Sequence, residues 1–258
     1  MKPVAAVFAH ENRPLWFAGA AVFLCASVAT APASLLASAV GASVPQAQIG
    51  GANGTVWRGT LEDVYVNDIR LGRINYRLAP LHALTGKLAA DLSADGGALT
   101  GKGRIAVGPG AYSIGDLSVR FNLASIRRYT FFGVPYQGEA IVRAKKISFG
   151  SRRCAAVDAS LSTNMLDGLS RQWSQEPLTL EGPIECPEGS LSLSLSGGNR
   201  AGRLTLSAAV TPQMAYSITV TAASVRPEFG VMLRSIGFEG DDAQLMLKAA
   251  GQLKGISS

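Results

Sequence analysis

The chain has 258 residues, enough for one large domain or two small ones; 47% are hydrophobic but only 7% aromatic, so alanine, valine and leucine must carry the burial. Two histidines and three cysteines argue against a metal cluster. The net charge of +6 is scattered, with no aromatic and basic platform, so nucleic acid is not an expected partner.

The apolar surplus lies at the N-terminus. No charged residue occurs from Pro14 to Trp57, and Leu15 to Val40 is apolar or small throughout. Crossing a bilayer takes about 20 apolar residues, so the stretch, long enough even if Pro32 kinks or ends the helix, predicts a transmembrane anchor over 15–40. Pro14 suits a first helical turn and Trp16 an interfacial position. Lys2 and Arg13 precede the stretch and the next basic residue is Arg58. That asymmetry predicts a cytoplasmic N-terminus over 1–14 and an exported remainder. Small-residue sites such as Ala37-Ser38-Ala39 would suit a cleaved signal peptide, but the apolar region exceeds the usual length of about 7 to 15 residues, which favours an uncleaved anchor.

Residues 41–53 are small and uncharged and read as a connector. From residue 54 onward the chain alternates with period two. Ile69 and Leu71, then Ile74, Tyr76 and Leu78, alternate with polar residues, and Gly72 shifts the phase as a bulge would. Leu88, Ala90 and Leu92 continue the pattern, as do Leu117, Val119, Phe121 and Leu123. Leu191, Leu193 and Leu195 alternate with serines, Gly197-Gly198-Asn199 offers a turn, and Leu204 and Leu206 resume, which predicts a hairpin. Strands follow at Tyr216, Ile218 and Val220 and at Leu245, Leu247 and Ala249, the last closed by Gly251. Two short helices interrupt the strands. One places Phe229, Met232, Leu233 and Ile236 on one face with Gly237 as its cap, and the other is a turn or two in "NLASIRRY".

The fold expected is therefore mainly β: a strongly twisted or curved antiparallel sheet (a meander, half-pipe or sandwich) over 54–258, after the transmembrane helix. "WRGTLEDVYVNDIRLG" and "YQGEAIVRAKKISFG" hint at two similar halves divided near residue 133, although chance explains the likeness as well.

With Cys25 in the apolar stretch, Cys154 and Cys186 are a lone pair in an oxidising compartment and a disulfide candidate. The remaining basic excess suits anionic lipid head groups, or simply solvated strand edges. Catalytic signatures are missing. "GKGRIA" (101–106) fits a loose dinucleotide pattern but continues an alternating strand, so its glycines read as strand glycines. His82 has no partner nearby in sequence, and Asp241-Asp242 reads as an ordinary acidic turn. Neither catalytic, metal nor cofactor residues are assigned, and the protein is expected not to be an enzyme. Trp57 reads first as a cap on the core and second as a contact near the membrane or with a partner.

Several blocks in order resemble the type II secretion system protein N family. They are "GTVWRG" with Gly54, Trp57 and Gly59; "LGRINYRLAP" with Leu71, Gly72, Tyr76 and Pro80; "CPEGSLSLSLSGG"; and "IGFEGDDAQLMLKAAGQL" with Gly237 and Phe238. Tyr76 stands where the family tends to have tryptophan. The resemblance implies a single-pass inner-membrane protein with a periplasmic domain, accessory to export of folded proteins across the outer membrane. Its implied partners are other secretion components and membrane lipid, with no cofactor and no stated oligomeric state. The alternative is a membrane-anchored β-groove protein that handles lipid or lipopolysaccharide, with small residues such as Ala89, Ala90, Gly101 and Gly103 leaving a groove.

Overall fold

In the computed structural model, residues 13–67, 69–80, 86–125, 130–131, 134–135, 137–150, 153–200, 202–223, 225–241 and 243–252 are described. The strands are β1 (Ala47–Gly54), β2 (Arg58–Val66), β3 (Ile69–Leu78), β4 (Leu88–Asp95), β5 (Leu99–Gly108), β6 (Ala111–Asn122), β7 (Thr130–Phe131), β8 (Val134–Pro135), β9 (Glu139–Gly150), β10 (Arg153–Thr163), β11 (Leu180–Glu185), β12 (Leu191–Asn199), β13 (Gly202–Val210), β14 (Ala215–Ala223), β15 (Glu239–Gly240) and β16 (Gln244–Gln252). The helices are α1 (Arg13–Ala29), α2 (Ala33–Ser43), α3 (Asp167–Ser174) and α4 (Pro227–Ser235).

Fourteen strands form one open antiparallel sheet that follows chain order almost without exception. The β7–β8 hairpin loops out, so β6 pairs directly with β9, and β15 adds two residues beyond β16. In a meander each connection returns the chain to the end of the sheet it left. One end therefore gathers the connections after β1, β3, β5, β9, β11 and β13, and the other gathers α3, α4 and the β7–β8 hairpin.

Register decides which residues share a face. Leu78, Ala90, Ile105, Ile114, Ile147 and Val157 lie opposite one another from β3 to β10. Leu193, Ala208, Ile218 and Ala249 continue the apolar face from β12 to β16. The opposite face is charged, with Asp91 against both Arg77 and Arg104. Its exposed ion pairs, Arg104–Asp91 and Arg120–Glu139 among them, are worth at most about 1 kcal/mol each.

Helices cover the apolar face at its two extremes. α2 seats Ala33, with Leu36 and Ala37, on Leu61, Val64 and Tyr76. α4 brings Phe229 and Leu233 against Leu195, Leu204, Ala222 and Leu245. Burying such leucines and phenylalanines stabilises by roughly 1.5–3 kcal/mol each, so these two clusters hold the sheet's margins. Between them the face of β4–β10 is mostly half-buried. The chain exposes 16930 Å², well above the roughly 10,800 Å² of a compact monomer of this mass.

Several expectations need correction. The stretch over 15–40 divides into two helices at Pro32, the kink or helix end that the sequence allows for, because Pro32 lacks an N–H and takes an extended conformation (φ −72°, ψ 151°). Among the described residues no helix is long and apolar enough to cross a membrane, which says nothing of a β-barrel. The connector expected over 41–53 contains the end of α2 and most of β1, whose Ile49 and Ala52 pack on the N-terminal cluster. Gly197–Asn199 is strand rather than turn, with Gly197 opposite Leu204. A Cβ there would strike the Thr179 carbonyl, so that glycine serves close strand approach. Gly251 is likewise inside β16, opposite Tyr216. Of the two similar blocks, the first folds as a hairpin turned at Asn67 (φ +48°), whereas the second is the single long strand β9. Helix α3, which the sequence reading missed, is short and polar, and Asp167 accepts from Arg171 at 3.0 Å and from the Leu178 amide at 3.2 Å.

Candidate functional site

The family-like residues near the N-terminus converge on one corner. The β1–β2 turn closes with the Thr55 amide donating to the Arg58 carbonyl at 2.9 Å. Gly54 sits there at φ +102°, and a Cβ on it would run into the Arg58 carbonyl and Gly59. Only glycine fits that conformation and space. Gly59 pairs across the ladder with Tyr76, whose ring lies against the space a Gly59 side chain would fill. The Tyr76 hydroxyl donates to the Thr55 carbonyl at 2.7 Å, and burial pushes its pKa above the ordinary phenol value.

Trp57 occupies the tip of this turn. Its carbonyl accepts from the Leu78 amide at 2.7 Å, which fixes it to the end of β3. Its indole N–H donates to the Val28 carbonyl at 2.8 Å, in the last turn of α1. That carbonyl is at a helix C-terminus, where backbone acceptors lack intrahelical donors. Beside it the Val56 amide donates to the Ala31 carbonyl at 2.8 Å, and Pro32 and Thr55 form an antiparallel bridge. The tryptophan is thus the joint between α1 and the sheet. Together with Pro80 and the α1 residues Leu24, Cys25, Val28 and Ala29 it lines an apolar groove of about 500 Å³.

The other residues singled out from sequence lie elsewhere. Leu71 packs against the N-terminal cluster. Gly72, at φ +93°, stands where a Cβ would strike the backbone of Asp95 and Gly97, beside bulges in the β2–β3 ladder. Gly237 (φ +98°) ends α4 and turns the chain so that the Phe238 amide donates to the Leu233 carbonyl at 3.1 Å. Phe238 is buried in the C-terminal cluster, far along the sheet from Trp57. Cys154 and Cys186 are disulfide-bonded, with Cα atoms 5.7 Å apart, and tie β10 to the connection after β11.

Of the residues weighed for chemistry, His82 and Asp242 lie outside the described residues, as does the proposed division near residue 133. Asp241 accepts from the amides of Ala243 and Gln244, the ordinary work of an aspartate in a turn. "GKGRIA" lies within β5, where a Cβ on Gly101 would strike the Ser118 carbonyl. Of the four small residues named for a groove, Ala90, Gly101 and Gly103 fall on the apolar face, but Ala89 falls on the other. The sequence reading missed Val28 and Thr55 as partners of the corner. Both contribute backbone carbonyls, which carry no residue signature.

The family model for type II secretion system (T2SS) protein N matches residues 45–252. No curated protein and no solved structure matches the chain.

Proposed function

The chain belongs to the type II secretion system protein N family and so has a role in type II secretion, and from that premise we propose that it is a non-enzymatic accessory of that system, held at the inner membrane by its apolar N-terminal segment with the β-sheet in the periplasm. In that place the sheet is a binding and assembly surface for other secretion components. The observation that carries this reading is the Trp57 joint: α1, apolar and exposed at Phe17, Val22 and Phe23, is fastened to the sheet rather than trailing from it. A fastened anchor holds a sheet in one orientation above a membrane, which an assembly platform needs. The charged face and the long connections of the α3 and α4 end supply polar surface for protein contacts.

The half-open apolar face of β4–β10 favours a second reading, in which the sheet handles lipid. Deletion of the gene, with proteomics of medium and periplasm and entry of a large hydrophobic dye, separates the two. The secretion reading expects folded enzymes to vanish from the medium and collect in the periplasm while the dye stays out. Unchanged secretion with dye entry would overturn it in favour of lipid handling.

A further inference from the structure

We infer that the end of the sheet carrying Trp57 is a second membrane contact, a rim that rests in the lipid head-group layer beside α1. The inference rests on the reading that α1 attaches the protein to a membrane, and extends it to the β-sheet.

The register assembles the rim. Leu88, Val107, Tyr112, Phe149 and Cys154 are successive cross-strand partners on β4, β5, β6, β9 and β10. At about 4.8 Å per strand the row runs roughly 19 Å along one end of the sheet. Tyr112 and Phe149 stack with ring centroids 4.7 Å apart. The β4–β6 part of the row is wet, with Leu88 53% exposed, Val107 47% and Tyr112 46%, while Phe149 is half-buried and Cys154 is buried in its disulfide. Farther along the same end, Met214 in the β13–β14 turn is 45% exposed, and Ile218 lies just inside it. Beyond α1, the other exposed large apolar residues among those described are Leu35, Val44 and Val231, on or beside α2 and α4.

Three observations identify lipid as the occupant. The rim is continuous with α1, because the Trp57–Val28 hydrogen bond brings the exposed helix to this end and to no other. Its side chains include tryptophan and tyrosine, whose apolar bodies and polar tips suit a membrane interface. Arg58, Arg77, Lys87 and Arg153 flank it, against Glu185 and Glu188, and basic residues near a surface are drawn to anionic head groups. Two of the turns here, "GPG" (108–110) and "TPQM" (211–214), are short and uncharged. The opposite end presents Asn67, Asp95, Asn122, Asp167, Glu176 and Arg200, alongside the β7–β8 hairpin with Phe131 and Val134 and the exposed Val231 of α4.

The test uses the full chain in vesicles of phosphatidylethanolamine and phosphatidylglycerol, in a Cys25→Ala background. A fluorophore is placed on Leu88→Cys or Val107→Cys at the rim, and on Asp95→Cys at the opposite end. Vesicle flotation is scored first, and an intact Cys154–Cys186 bond confirms that each variant is folded. Nitroxide lipids should quench the labels at 88 and 107 several-fold more than the label at 95. If the protein floats with the vesicles but all three labels quench alike, the rim is not a membrane contact, although the anchor is. If it does not float, the membrane reading itself falls and the rim with it.

Discussion

The indole of Trp57 is hydrogen-bonded to the backbone carbonyl of Val28, 29 positions earlier in the chain, across 2.8 Å. That bond links the apolar helix to the sheet, and its chemistry sets the first expectation. Trp57→Phe keeps the groove wall but leaves the Val28 carbonyl without its donor. The loss expected is roughly 1 kcal/mol, the ordinary net value of one hydrogen bond. Amide exchange should accelerate at Val56 and Thr30, which flank the joint, and stay unchanged in β12–β14. Uniform acceleration across the sheet would mean that Trp57 supports the core generally rather than the joint.

Gly72 and Gly86 both have positive φ, +93° and +70°, but only Gly72 is crowded by backbone. Gly86→Ala meets nothing within 4 Å and should cost about 1–2 kcal/mol through conformation alone. Gly72→Ala adds a clash with the Asp95 and Gly97 backbone and should cost substantially more, read as a lower denaturant midpoint. Equal costs would show that the β3–β4 ladder yields easily.

The disulfide closes a loop with a sequence separation of 32. In the chain-entropy model its removal should lower stability by about 3–4 kcal/mol. Urea unfolding of a Cys154→Ser, Cys186→Ser double variant measures this, and a loss below about 1 kcal/mol would mean that the unfolded chain is already restrained by other contacts.

Tyr76 gives the stability a pH dependence. Burial raises its pKa in the folded state above the unfolded value of about 10, so the neutral phenol is favoured by folding. The contribution is fully present below about pH 10 and is lost as pH rises through the folded pKa. Wild type should therefore lose more stability than Tyr76→Phe over that alkaline range. Parallel curves would indicate that the phenol ionises as easily folded as unfolded.

These positions also show what a sequence reveals of this fold. Leu193 and Leu195 alternate with serines because they pack on the cluster that α4 covers while Ser194 and Ser196 are wet, so the strand is readable without a structure. The break at Pro32 is legible in the residue type, because proline kinks or ends a helix wherever it falls inside one. Gly197 and Gly251 look like turn glycines because a strand glycine is recognisable only from what lies across the ladder. Leu88, Val107 and Tyr112 are each unremarkable alternating residues until register lines them up at one end of the sheet. Trp57 stood out for its size, but its partner is a carbonyl, which every residue has.

The central claim is that this protein serves type II secretion as a sheet fastened to its apolar helix α1 at Trp57. The direct measurement is the partition of secreted enzymes between medium and periplasm in a deletion strain complemented with either wild type or Trp57→Ala. Protein level and the Cys154–Cys186 bond are verified in both. The account predicts that wild type restores enzymes to the medium, while Trp57→Ala, folded and equally abundant, leaves a marked share in the periplasm. Full restoration by Trp57→Ala would contradict the fastened-sheet account, and failure of deletion to alter secretion at all would contradict the secretion role.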